Sequence, residues 1–95
     1  MIARLIQMRA PAEDFDTVLG AIRERVMPAV RQLPGCRSDT FAGDAATGRL
    51  VSFVVFEGQA GIDAAEELFA RMRGNVEQLG VRFESIENLE VVAGG

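Results

Sequence analysis

The side chains that most often carry chemistry are scarce in this sequence. It has no His, no Trp and no Tyr, a single Cys, and 14 acidic residues against 10 basic ones. Cys36 therefore has no imidazole to act as its base, and it follows Pro34-Gly35 at the start of a strand, so it reads as a half-buried structural thiol. A lone Cys also rules out an internal disulfide and fits a reducing compartment. Any metal would need oxygen ligands alone. Glu66-Glu67, Glu84, Glu87 and Glu90 lack calcium-loop spacing, so they read as solvated acids and neither metal nor haem is expected. The ten Gly contain no G-x-G-x-x-G and no P-loop pattern, which argues against nucleotide binding. All ten basic residues are Arg, spread singly or in loose pairs (Arg23 and Arg25, Arg71 and Arg73), and the net charge is −4. Without a clustered basic surface to neutralise phosphates, no nucleic-acid partner is expected. What remains is a sparse polar set in an apolar setting, chief among it Ser52, a small hydroxyl inside a hydrophobic run.

The elements that must position these residues follow from hydrophobic periodicity. Residues 2–9 alternate as a strand, with Ile2, Ile6 and Met8 on one face and Ala3 and Leu5 on the other. Pro11, Glu13 and Asp14 resemble a helix entrance. Phe15, Val18, Leu19, Ile22, Val26 and Val30 then recur at helical spacing. Pro28 should kink that helix or end its regular part, and Leu33-Pro34-Gly35 stops it. Residues 36–42 read as a second strand, residues 43–48 as a loop, and residues 50–56 as the strongest strand, apolar on both faces except at Ser52. Residues 57–61 break the chain before a second helix marked by Ile62, Ala65, Phe69, Met72, Val76 and Leu79. Residues 82–92 form the last strand, on which Glu84, Ile86, Asn88 and Glu90 would share a face, with 93–95 trailing beyond.

This order, βαββαβ, is the split βαβ arrangement of an α+β ferredoxin-like domain: a four-stranded antiparallel sheet with two helices on one face. The 95 residues make a single domain, with one core. The second sheet face should be polar if it meets water, yet Val51, Phe53 and Val55 lie on one side of the third strand while Leu50, Val54 and Phe56 lie on the other. An uncovered apolar face implies association, and a two-fold pairing of sheets would bury it in a homodimer. No apolar run is long enough to span a bilayer and the N-terminus lacks signal-peptide features, so no membrane association and a cytoplasmic location are expected.

The sequence resembles the antibiotic-biosynthesis monooxygenase family of dimeric α+β barrels. The resemblance rests on the element order and on Met27-Pro28-Ala29-Val30-Arg31-Gln32-Leu33-Pro34-Gly35-Cys36, similar to the family's recurrent proline, short helical stretch and Pro-Gly before strand two. It rests also on the hairpin at Asp44 to Gly48 and on Phe53-Val54-Val55-Phe56-Glu57, an aromatic residue followed by an acid. The resemblance implies a dimeric barrel and a pocket between sheet and helices for a small aromatic or polyketide-like molecule, used without metal or flavin, although related haem-degrading members bind haem. Phe56 stands where many members have Trp and Ser52 where an Asn can occur. The second helix opens with Ile62, Asp63, Glu66 and Glu67 in place of His or Tyr.

Three functions fit these residues. The chain is a cofactor-independent oxygenase, a non-catalytic binder of a small hydrophobic molecule, or a structural dimer whose core is filled by Phe and Met. For either ligand-binding function, the expected pocket is bordered by Phe56 and Ser52 on one strand face and by Phe69 and Met72 on one helix face, with Arg4 or Asn88 orienting the ligand.

Overall fold

A computed structural model, described over residues 1–94, gives strand β1 (Ile2–Arg9), a 3₁₀ turn (Ala12–Asp14), helix α1 (residues 15–31), β2 (Cys36–Asp44), β3 (Arg49–Phe56), helix α2 (Gln59–Glu77) and β4 (Arg82–Glu90). Gly95 lies outside the described residues. The sheet order is β2-β3-β1-β4 with every neighbouring pair antiparallel. This is the expected α+β ferredoxin-like architecture.

Helix α1 answers Pro28 by changing its pitch. Phe15–Ala21 is α-helical, Ile22–Val26 widens into a π turn, and Met27–Arg31 resumes the α form with Pro28 in its first turn. The Met27 N–H bonds back five residues to the Ile22 carbonyl. The wider turn leads the chain past a ring that offers no N–H and crowds the preceding turn. Phe15, Val18 and Ile22 are buried, with Leu19, Val26 and Val30 partly so, as the spacing predicts. Beyond them, the Arg31 guanidinium donates to the Asp39 carboxylate at 3.2 Å, tying the end of α1 to β2.

The elements depart from the expected pattern at three boundaries and at one bulge. Gly43 and Asp44 belong to β2, paired with Leu50 and Arg49, so the loop shrinks to residues 45–48. Glycine suits this strand position because the Phe15 ring, the Arg49 carbonyl and Leu50 occupy the space a side chain would need. The turn is held by Asp44, whose carboxylate accepts from the Ala46 N–H at 3.0 Å, and by Gly48 at φ +78°, whose carbonyl accepts from the Ala10 N–H at 2.8 Å. Residues 57–61 are not all breaker: α2 begins at Gln59, and Gly61 is buried in its first turn. A Cβ at Gly61 would press on the Phe56 ring and come within 2.5 Å of the Pro34 carbonyl oxygen. Gly61→Ala is therefore expected to cost about 1–3 kcal/mol by overpacking, read as a lower thermal midpoint; an unchanged midpoint would show that α2 can back away from β3 freely.

A β-bulge interrupts the pairing of β1 with β4. Gln7 pairs with Ser85 but Met8 with Phe83, so Glu84 is an extra residue in β4. The expected shared face of Glu84 with Ile86, Asn88 and Glu90 is thereby broken, and Phe83 takes the helix-facing position instead. The bulge has an electrostatic consequence. Arg49, Arg9 and Arg82 stand directly opposite one another across β3, β1 and β4, a like-charge row that costs stability on its own. Glu84 approaches both Arg9 and Arg82, at 3.8 and 3.9 Å, and offsets part of that repulsion. The strand also ends at Glu90 rather than at residue 92, although the Val91 N–H still donates to the Met1 carbonyl at 2.9 Å.

The two faces of the sheet differ sharply. Leu50, Ser52, Val54 and Phe56 of β3 are buried beneath the helices, and the pairing places Arg4, Ile6 and Met8 of β1 beside them. On the opposite face, Phe53 is 43% exposed and Leu89 51%, with Leu5, Val51 and Val55 half-buried around them. Phe53 lies between Leu5 and Thr40 in the register.

Candidate functional site

The core beneath the helices is divided. One cluster gathers Met8, Phe15, Val18, Ile22, Leu50 and Val81; the other gathers Val54, Phe56, Ile62 and Ala65. Ser52 sits between Leu50 and Val54 on the same strand face, and a cavity of about 90 Å³ is lined by residues of both clusters. Five of the six expected site residues line it: Phe56 and Ser52 from β3, Phe69 and Met72 from α2, and Arg4 from β1. Period two on the strands and three- to four-residue steps on α2 account for that convergence.

Asn88 is placed differently. It is exposed on β4 and borders a shallow groove at the sheet end with Met1, Ile2 and Glu57. It meets the cavity-lining Arg4 all the same: Asn88 Oδ1 accepts a hydrogen bond from Arg4 Nη1 at 3.2 Å. The structure also brings in Arg73, Phe83, Leu68 and Phe41, which the sequence reading left out. Phe83 is reached only through the bulge, and its ring meets that of Phe69 edge to face at a centroid distance of 4.9 Å. The Arg73 guanidinium lies over both rings, 5.6 Å from Phe69 and 5.4 Å from Phe83. Its spacing of four from Phe69 was a legible signal.

The walls are otherwise apolar, and no carboxylate lines the cavity among the described residues. Arg4 is 5% exposed, and burial lowers its pKa against a partial upward pull from Glu66. Met72 is half-buried and Arg73 exposed, so both form a flexible rim. At its present size the cavity is below the ~300–1,000 Å³ typical of drug-sized ligands, and a ligand larger than one ring must push that rim aside. Elsewhere, the Cys36 thiol is half-buried and its pKa is raised by burial and by nearby Asp39, which keeps it a poor nucleophile. No group of three metal-ligating side chains comes together among the described residues, and no helix is long and apolar enough to cross a membrane.

The same fold occurs in solved structures. The chain superposes on a candidate antibiotic biosynthesis monooxygenase of Deinococcus radiodurans with a TM-score of 0.81 and 15% identity, over 99% of this chain and 95% of that one. It superposes on the ActVA-Orf6 monooxygenase of Streptomyces coelicolor, in complex with the ligand nanaomycin D, at 0.71 and 13% identity, over 99% and 88%. A dimeric ferredoxin-like protein from an uncultured marine organism gives 0.72 and 10% identity, over 99% and 96%. The fold is thus the ferredoxin-like fold shared by antibiotic biosynthesis monooxygenases and dimeric ferredoxin-like proteins. No protein-family model matches the sequence, and no curated protein does.

Proposed function

We propose that the protein works as a homodimer, paired through its open sheet face, in which each subunit takes one small aromatic molecule into the cavity between sheet and helices and acts on it as a cofactor-independent monooxygenase. The observation that carries this reading is the divided core: a small domain that needed only stability would close the gap around Ser52 with one more apolar side chain. Instead the cavity keeps a hydroxyl and a buried guanidinium among apolar walls, the composition of a small-molecule site.

Oxygenation of this kind draws its electrons from the substrate, ionised to a carbanion or enolate. The protein then has to exclude water, hold a flat ring and stabilise negative oxygen with fixed donors. Phe56, Phe69 and Met72 supply the ring contacts, while Arg4 and Ser52 supply the donors. The cavity holds no acid or base of its own, which favours a second reading in which the site binds without chemistry. We take the reducing cytoplasm, which the lone Cys36 fits, as the compartment.

Saturable binding of single-ring aromatic molecules at one site per subunit, read by titration calorimetry and by displacement of Nile red where the dye itself binds, is the expected result. Absence of saturable binding would refute both readings. Oxygen uptake on adding a displacing phenol separates the enzyme from the binder.

A further inference from the structure

We propose that the ligand of this cavity is an anion: a flat, largely apolar molecule with one ionised oxygen group, held by Arg4. The inference rests on the binding reading above and adds the ligand's charge to it.

Arg4 is the most costly residue of the site. Its guanidinium carries five N–H donors and cannot shed its proton in a protein, so burial does not neutralise it. Its surroundings compensate only part of that cost. One donor meets the neutral amide oxygen of Asn88 at 3.2 Å. The nearest carboxylate, Glu66 Oε1, is 3.8 Å from Nη1, past good hydrogen-bond length, on a side chain that is 57% exposed and screened by water. The Arg4 guanidinium also lies over the Phe69 ring, 5.8 Å from its centroid, and Arg73 lies over the same ring at 5.6 Å.

Arg73 has a carboxylate of its own, Glu77 at 3.5 Å, so Arg4 is the guanidinium left to an apolar cavity whose wall, among the described residues, holds no acid. An oxyanion entering beside Arg4 supplies the missing close acceptor, in the charge-assisted geometry that guanidinium favours, while its ring packs against Phe56, Phe69 and Met72. A carboxylate and an ionised phenol or enol share this chemistry. For the second kind, the guanidinium stabilises the ionised form, so the bound molecule loses its proton at a lower pH than it does in water.

The protein has no Trp or Tyr to obscure ligand fluorescence, so the test uses 2-naphthoate, its uncharged counterpart 2-naphthamide, and 2-naphthol. Naphthoate is expected to bind the unmodified dimer about tenfold or more tighter than the amide. Arg4→Met should abolish that preference while leaving amide binding in place, and Arg4→Lys should retain part of it. Naphthol affinity that rises with pH below the compound's own ionisation marks the phenolate class; preference for naphthoate alone marks the carboxylate class. If neither naphthoate nor naphthamide binds, the cavity-binding reading fails and this inference with it. If the amide binds as tightly as the acid, or Arg4→Met keeps the preference, the cavity stands and the anion assignment is overturned. The comparison of acid with amide on the unmodified protein holds whether or not the variants fold.

Discussion

Phe53→Asp should convert the protein from dimer to monomer while leaving each subunit folded. Phe53 is 43% exposed in the single chain and is flanked by Leu5 and Thr40, in the middle of an apolar patch with Val51, Val55 and Leu89 around it. A two-fold pairing through this face buries the position in both subunits. A carboxylate placed there loses its water without gaining a partner, at a cost of about 3–5 kcal/mol, and both subunits bear it. Dissociation should therefore strengthen by at least ~10³-fold. Sedimentation at micromolar concentration reads this directly, and circular dichroism shows whether the monomer keeps its fold. Val51→Asp, on the same face two residues away, should act in the same direction. A variant that stays dimeric would mean that the contact lies elsewhere on the surface.

Phe56→Ala should have the complementary effect, lowering stability and altering ligand binding with the dimer intact. Phe56 is 1% exposed, points toward the helices, and packs with Val54, Ile62 and Ala65 against the first turn of α2. Truncating a buried Phe costs about 3–5 kcal/mol. In a domain of this size that corresponds to roughly 15 °C or more in the thermal midpoint. The space released is continuous with the cavity, so larger aromatic molecules should gain affinity relative to single rings. Phe56→Leu, which removes less volume, keeps the binding measurement available if the alanine variant does not fold. Dissociation of the dimer by Phe56→Ala, with the subunit's own stability unchanged, would reverse the two sheet faces.

The two faces were legible because strand periodicity leaves little freedom. In β3, Leu50, Ser52, Val54 and Phe56 must share one side, and the family resemblance indicated which side meets the helices. Helix α2 was legible for the same reason, so the convergence of Phe56, Ser52, Phe69 and Met72 followed from two periodicities. The features that escaped depend on contacts between distant segments. Nothing local in Arg82-Phe83-Glu84-Ser85 says that Met8 will pair with Phe83, and that single-residue shift decides whether an aromatic or an acid faces the cavity. Gly43 and Gly61 look like breakers in sequence but are places where Phe15 or Phe56 needs the room. Asn88 is expected to orient a ligand; the fold sets it outside the cavity wall, joined to Arg4 by the hydrogen bond it accepts.

Methionines report directly on a ligand held between the sheet and the helices. The sequence has four, Met1, Met8, Met27 and Met72. Met8 and Met72 line the cavity, whereas Met1 borders the shallow groove at the sheet end. Titrating methyl-labelled protein with 2-naphthoate and following the methionine resonances by NMR should move Met8 and Met72 and leave Met1 in place, saturating at one ligand per subunit. Shifts confined to Met1, or saturation without any change at Met8 and Met72, would place the ligand outside this cavity and contradict the account.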